Sequence, residues 1–402
     1  MQQTASGLST RVSGLFAVHF LGMGLFLPFF PLVLAARSLS VSEIGVILGL
    51  ATAARIAAGP ILTGLSDRTG RRRLSILGYS LAGVATLILF AATSGYPATL
   101  AAVVCLMIFW SPIVPLADAY ALDVVREDGG DYGRMRLWGS IAFIVANLAG
   151  GWVIAAWSTL PIVAGILFSL LATGVVAATL PPMHRGQRNE AAGQGAKPAV
   201  LARPWFLGAL AVIGLLQGSH AAYYAFGTIF WRDTGVAEAA IGVLWSLGVV
   251  TEIALFSFAG RLPAWIGPIQ LLAIGALAAV LRWALFPLAV APVPMAVLQG
   301  LHGLSFGAVH LGTVGFLSQV VPARWAATGQ SLAATSTGIL MAAGMAACGP
   351  LYAAAPEWAF WAMSLSSAAA LGGLAVVKGR MQRAMEAKDG PASQPQSAGS
   401  GG

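Results

Sequence analysis

Four ionisable side chains stand in the middle of long apolar stretches: Arg55, Asp118, Glu252 and Arg282. Four histidines do the same: His19, His220, His302 and His310. A charge near the middle of a bilayer costs several kcal/mol, about 3 on insertion scales, so each marks a functional site by default. Opposite signs fall on different stretches, so they can pair across a shared wet cavity or hold a charged solute there. A carboxylate in such a place can also load and release a proton. His302 and His310 are eight residues apart, about 80° around a helix, so one cavity can see both. Tyr223, Tyr224 and Phe226 add rings that, beside the cation of Arg55, would suit an aromatic carboxylate.

Other chemistries find no residues to carry them. Cys105 and Cys348 both lie in apolar stretches, with no metal-ligand spacing and no disulfide framework. Neither HExxH nor a phosphate-binding Gly-rich loop with Lys occurs, so zinc hydrolysis and ATP-driven pumping are unsupported and no cofactor or metal is expected. Gly303-Leu-Ser-Phe-Gly307 matches the nucleophile-elbow pattern, but that pattern needs a strand before it. Here it lies in an apolar helix, where small residues serve helix packing.

The elements that must position these residues are membrane helices. Of 402 residues, 58% are hydrophobic and 9% charged, against about 25% charged in a soluble domain. Apolar stretches of about 20 residues recur, each long enough to cross a bilayer as a helix. We place twelve spans at 12–36, 41–65, 74–93, 97–123, 135–156, 160–181, 204–230, 238–260, 268–288, 292–320, 325–347 and 356–378. Lipid cannot satisfy exposed backbone groups, so helices are required, and barrel-type alternation is absent.

The expected fold is therefore an all-α membrane protein of two six-helix bundles. Residues 1–181 form the first bundle and 204–379 the second. A polar cytoplasmic connector, 182–203, joins them, and a disordered tail, 380–402, ends the chain. Six plus six suggests an internal duplication. With the N-terminus inside, eighteen Lys and Arg fall in cytoplasmic segments and two, Arg37 and Arg232, outside. That asymmetry sets both termini in the cytoplasm. It also explains the net charge of +8 as topology and contact with anionic lipid, not nucleic-acid binding.

Two local segments are informative. In Tyr132-Gly-Arg-Met-Arg-Leu-Trp-Gly139, Arg134 and Arg136 are about 200° apart around a helix. One holds the loop while the other points to the bundle axis, where an antiparallel hairpin brings Asp118 near Arg136. The second is Gly64-Leu-Ser-Asp-Arg-Thr-Gly-Arg-Arg-Arg73 between spans 2 and 3. Gly64 permits close helix approach, Gly70 a tight turn. Asp67 can accept from Arg or a helix N-terminus, and Arg68, Arg71 and Arg72 anchor in headgroups. This segment resembles the signature loop of the major facilitator superfamily, in which it implies a conformational latch.

Pro28-Phe-Phe-Pro-Leu32, Tyr132–Gly139, Ser219-His-Ala-Ala-Tyr-Tyr224 and His302–His310 together resemble the phenylpropionate permease group, related to lactose permease and nucleoside/proton symporters. The resemblance runs from Leu15 to Lys378. It implies that Asp118 and Arg136 bind substrate, since lactose permease has an acid and an Arg at that spacing. It likewise matches Glu252, Arg282 and His302 to an acid, an Arg and a His of that permease's spans 8 to 10. Two positions depart from the permease: Ser305 stands where it has its proton-carrying Glu, and Gln299 where it has Lys. Proton coupling would then fall to Glu252, Asp118 or a histidine.

The resulting expectation is proton-coupled uptake of a small organic solute, an aromatic acid favoured, by alternating access in a bacterial inner membrane. The protein is expected to act as a monomer, with substrate and protons as its partners. Substrate binding is assigned to Arg55, Asp118, Arg136, His220, Tyr223, Tyr224 and His302. Proton coupling is assigned to Glu252, Asp118, Arg282, His302 and His310. The alternatives are a nucleoside or sugar symporter and a drug/proton antiporter. Exporters of the last kind carry a Gly-Pro motif in span 5, and Gly139 to Ala156 has no proline.

Overall fold

The computed structural model describes residues 2–182, 198–263 and 265–389. Among these residues the chain is helical, with no strand. Span 1 is α1 (Gln2–Ala35), span 2 α2 (Val41–Thr69) and span 3 α3 (Arg72–Ala92). Span 4 is made of α4 (Tyr96–Trp110) and α5 (Ile113–Asp128). Spans 5 and 6 are α6 (Tyr132–Ala156) and α7 (Leu160–Thr179). Span 7 joins α8 (Pro204–Gly218) to α9 (Ala221–Asp233), and spans 8 and 9 are α10 (Glu238–Phe258) and α11 (Pro268–Leu285). Span 10 runs through α12 (Pro292–Gly300), a π-helical stretch (Gly303–Ala308) and α13 (Val309–Val320). Spans 11 and 12 are α14 (Ala326–Ala354) and α15 (Pro356–Asp389).

Eleven of the described helical segments are long and apolar enough to cross a membrane. The twelfth expected span, 292–320, is present but divided by its π turn. The helix ends follow from local chemistry. Ser40 opens α2 with a reciprocal cap, in which Glu43 N–H donates to Ser40 Oγ and Ser40 N–H to Glu43 Oε2. Gly70 closes it at φ 67°, a left-handed turn that costs glycine nothing. Asp131 accepts from the Arg134 N–H to start α6.

Several helices overrun their expected ends. α2 continues past 65 to Thr69, and α14 past 347 to Ala354. α15 reaches Asp389, so the first ten residues of the expected disordered tail are helical. Backbone hydrogen bonding does not stop where hydropathy does, and Lys378, Arg380 and Arg383 are compatible with helix outside hydrocarbon. Residues 183–197 and 390–402, most of the expected connector and tail, lie outside the described residues. Of the connector, Ala199–Ala202 forms a short 3-10 turn with Leu201 buried.

Three spans are interrupted: span 4 at Ser111–Pro112, span 7 at Ser219–His220 and span 10 at Leu301–His302. Spans 4 and 10 hold corresponding places in the two groups of six. Interrupted helices at matching positions of two repeats are the backbone pattern of a midplane binding site.

Among the described residues, the closest approaches between the two groups of six gather toward one end. Span 2 lies against span 11 so closely that a Cβ at Gly45 would fall 2.7 Å from the Met345 carbonyl oxygen, and at Gly49 2.7 Å from that of Ala342. Span 5 meets span 8 in the same way: a Cβ at Gly242 would fall 2.3 Å from the Asn147 carbonyl oxygen. Small residues allow this approach, and packing drives association where lipid offers no hydrophobic gain. Among the described residues, these close approaches lie at or beyond mid-span, away from the basic 68–73 loop. The two groups are thus fastened to one another away from the basic end.

At the basic end Asp67 pairs with Arg72 at 3.3 Å, and the nearly buried Asp123 pairs with both Arg72 and Arg126. This ties the loop after span 2 to span 4. Gly64 does not make the expected close approach: a Cβ there would meet nothing within 4 Å. Arg73 Nη1 instead fastens the loop by donating to the Leu180 carbonyl at 2.7 Å. Asp123→Asn removes the carboxylate that two arginines share. Because Arg72 and Arg126 are partly exposed, we expect a loss of only about 1 kcal/mol, read as a lower unfolding temperature in detergent. An unchanged midpoint would show that the network is not holding this end.

Candidate functional site

The most deeply buried charge is Arg282 on span 9, with no side-chain exposure. Its guanidinium lies 4.8 Å from the Tyr223 ring centroid and 4.4 Å from that of Trp283, a geometry that favours a cation. Nη2 donates to Gln299 Oε1 at 2.8 Å. Nη1 contacts His302 Nδ1 at 2.9 Å and Ser305 Oγ at 3.2 Å. A guanidinium only donates, so His302 Nδ1 must be the acceptor. His302 is therefore neutral and carries its proton on Nε2, which faces Glu252 Oε2 at 3.9 Å.

The chain of donors and acceptors continues through Ser305. Its oxygen accepts from Arg282 and lies 3.4 Å from His220 Nε2. His220 Nδ1 lies 3.2 Å from the Gln217 carbonyl, which can only accept, so Nδ1 is the protonated nitrogen and Nε2 accepts from Ser305. A directed hydrogen-bond chain thus links spans 7, 9 and 10, with Glu252 of span 8 lying 3.9 Å from its end. The interrupted backbone makes this possible: His220 sits at the break in span 7, and His302 and Ser305 at the π turn of span 10. Gly303 lets span 10 approach span 8, since a Cβ there would fall 2.7 Å from the Thr251 carbonyl oxygen. Among the described residues no carboxylate lies within ion-pair distance of Arg282. Arg282 Nε and Gln299 Nε2 have no hydrogen-bond partner.

The first six spans supply a second cluster. Arg136 Nε lies 4.0 Å from Asp118 Oδ1, and the Tyr132 hydroxyl donates to the same oxygen at 3.0 Å. The Arg136 guanidinium lies over the Phe20 ring at 4.0 Å and near that of Phe16 at 5.5 Å. Both charged side chains are about one-third exposed, so they line space. His19 is buried behind Phe20 and Trp110, with Nδ1 unpartnered.

Spans 5 and 8, which carry Arg136 and Glu252, pack directly against each other, close enough for Arg136 to act electrostatically on Glu252. Arg55 reaches Tyr224 across spans 2 and 7, and Tyr224 in turn senses Glu252 and Arg282. Arg55 itself is exposed and has no ion-pair partner among the described residues.

Most of the expected residues converge, with three differences. Tyr223 is buried under Trp245 and Arg282, and Phe226 stacks on Tyr352 within its own half. Only Tyr224 is therefore available to Arg55. His310 does not join His302: it is exposed and its ring contact is with Phe256. The π turn between them changes the angular count that placed both on one face. Finally, Gln299 and Ser305, which read as gaps against the lactose permease pattern, are ligands of Arg282. Their spacing of three residues on either side of His302 puts all three near one helix face, and that signal was available in the sequence. Phe16, Phe20 and Tyr132 are further site residues that hydropathy alone hides.

Twelve membrane-crossing segments, interrupted at matching places and enclosing paired charges from both groups of six, define a solute transporter. The comparisons with known proteins give the same class. The MFS_1 like family model matches residues 9–362. The chain is 31% identical over 369 residues to the probable 3-phenylpropionic acid transporter of Escherichia coli (strain K12), covering 89% of this chain and 95% of that one. It is 30% identical over 246 residues to the maltose permease of Geobacillus stearothermophilus, covering 61% and 62%. The crystal structure of the nucleoside transporter NupG superposes with a TM-score of 0.79 at 17% identity, covering 92% of this chain and 99% of that one. The protein belongs to the MFS_1-like family of the major facilitator superfamily and is a multi-pass membrane transporter.

Proposed function

We propose that this transporter takes up a small aromatic carboxylate together with protons, the two groups of six rocking about the chamber. The observation that carries this reading is Arg55, a mid-span cation with no carboxylate partner among the described residues and within electrostatic reach of Tyr224 on span 7. A carboxylate would meet the guanidinium, and the ring would stack with tyrosine. The similarity to a protein described as a phenylpropionic acid transporter supports the same substrate class. Asp118 and Arg136, with Tyr132, would complete the opposite wall, while Glu252 would carry the proton with His302 and Arg282 behind it. By the positive-inside rule the basic end would be cytoplasmic, and a space between the two groups, fastened at the other end, would open inward. The 64–73 loop and its Asp123 network would latch the cytoplasmic end when the chamber turns outward.

The test is uptake of labelled 3-phenylpropionate by proteoliposomes of the full chain, with an inwardly directed proton gradient and without one. Uptake is expected to rise with the gradient and to be outcompeted by aromatic acids but not by maltose or nucleosides. Arg55→Gln should weaken 3-phenylpropionate binding by about tenfold to a hundredfold, the effect of losing a charged hydrogen bond of roughly 1.5–3 kcal/mol. Flux indifferent to pH would remove the symport reading, and competition by maltose would redirect the substrate class.

A further inference from the structure

We infer that Arg282 and Gln299 form a site for a small monovalent anion, chloride or the carboxylate group of a solute. The site does not depend on the substrate assigned to Arg55. The observation behind it is a fully buried cation whose hydrogen bonds are only partly made. Arg282 and Gln299 both have no exposure. Of the guanidinium nitrogens, Nη1 contacts His302 and Ser305, and Nη2 donates to Gln299 Oε1 at 2.8 Å. Arg282 Nε and Gln299 Nε2 are left without a partner. Both can only donate. Exchanging the two ends of the Gln299 amide would not help, because it would turn an N–H toward a guanidinium that cannot accept. The two unpartnered donors flank the same Nη2–Oε1 bond, one beside its donor and the other beside its acceptor, so they are near neighbours.

What surrounds Arg282 lacks negative charge. The rings of Tyr223 and Trp283, at 4.8 and 4.4 Å, offer only the attraction of a π face. His302, Ser305 and Gln299 accept as neutral groups. Glu252 meets the far side of the His302 ring, 3.9 Å from Nε2. Among the described residues no carboxylate lies within ion-pair distance of Arg282. A buried charge without a counter-charge and buried donors without acceptors are both costly. An anion at Nε and Gln299 Nε2 relieves both costs, through charge-assisted hydrogen bonds. Gln299 sits on the last turn of α12, directly before the interruption of span 10 at Leu301–His302, so its amide can shift to admit an ion without bending a continuous helix. Tyr223 stacks on Trp245 at 4.3 Å, and Trp283 donates to Ser219 Oγ at 3.1 Å. A halide therefore disturbs this packing less than an aromatic acid, whose ring would displace one of them.

The test is the unfolding temperature of the purified full chain in neutral detergent, at fixed pH and ionic strength, with sodium gluconate exchanged stepwise for sodium chloride. The midpoint should rise saturably, by roughly 1–3 °C once chloride is about ten times its Kd. Gln299→Glu places a carboxylate beside Nη2 in a side chain of the same size. That variant should be at least as stable in gluconate as the wild type is in chloride, and chloride should add nothing. Where Gln299→Glu does not fold, Gln299→Leu removes one of the two donors and should raise the half-effective chloride concentration about tenfold or more. The second arm measures binding of 3-phenylpropionate in gluconate and in saturating chloride. A Kd that climbs with chloride in the wild type, and not in Gln299→Glu, makes the solute's carboxylate a competitor for the site. An unchanged or lower Kd, with the chloride response present, makes chloride its own occupant. Both results support an anion at Arg282. A wild-type midpoint indifferent to chloride, together with equal 3-phenylpropionate affinity in the wild type and the variant, overturns the site. So does a chloride response of undiminished size in the variant. A chloride response without any binding of 3-phenylpropionate keeps the site and removes only the substrate assigned above.

Discussion

Glu252→Gln is expected to abolish accumulation of solute against its gradient while leaving exchange of solute across the membrane intact. Glutamine keeps the size of the side chain and an acceptor oxygen toward the His302 Nε2–H, so the chain from Glu252 to Arg282 keeps its shape. What it loses is the exchangeable proton. Glutamine also fixes the chamber in the charge state that glutamate has only when protonated. A solute-loaded variant then has the same charge at residue 252 as the protonated wild type and is expected to reorient in both directions. In the wild type, each unit of pH gradient supports about a tenfold concentration ratio at one proton per solute. In the variant the ratio is expected to stay near one, with counterflow of labelled solute continuing. Uphill uptake by Glu252→Gln would place the proton on another group, with Asp118 the next candidate.

The second large effect is conformational. Gly49→Trp puts an indole where a methyl group alone would lie 2.7 Å from the Ala342 carbonyl oxygen. That neighbour is backbone and cannot swing aside, so spans 2 and 11 must separate. In the alternating cycle proposed above, this contact must part when the end opposite the basic loops opens. The overlap, costing about 1–3 kcal/mol or more, therefore falls on one state of the cycle. The population should move toward the opposite opening by roughly tenfold to a hundredfold, and net transport should fall accordingly. The readout is a cysteine at Asn147, a residue with no exposure at the closed end, in a chain whose Cys105 and Cys348 are replaced by serine. It should react with a membrane-impermeant maleimide when Gly49→Trp is present and stay protected when it is not. Equal labelling in both, with transport retained, would show that the closure drawn here is not part of the cycle.

Both expectations turn on contacts that no single helix contains, and this marks how far the sequence reaches. Twelve spans, their order and the basic loops are legible because bilayer thickness and the cost of buried charge act on each segment alone. For the same reason Arg55, Asp118, Glu252 and Arg282 could be singled out without knowing their neighbours. The spacing of Asp118 and Arg136 over a short hairpin was also legible, since adjacent antiparallel helices have few ways to meet. The helical run of α15 to Asp389 was hidden from hydropathy, which reports the lipid and not the backbone.

What the sequence by itself determined was the class of fold and which charged side chains needed a wet environment, because desolvation and helix length are properties of the segment. Only the tertiary structure decided who partners whom. It turned Gln299 and Ser305 from missing residues into ligands of Arg282, sent His310 and Phe226 elsewhere, and left Arg55 without a carboxylate partner among the described residues. Partnership depends on where interrupted helices from different parts of the chain bring their atoms together, and that is set by packing across the whole bundle.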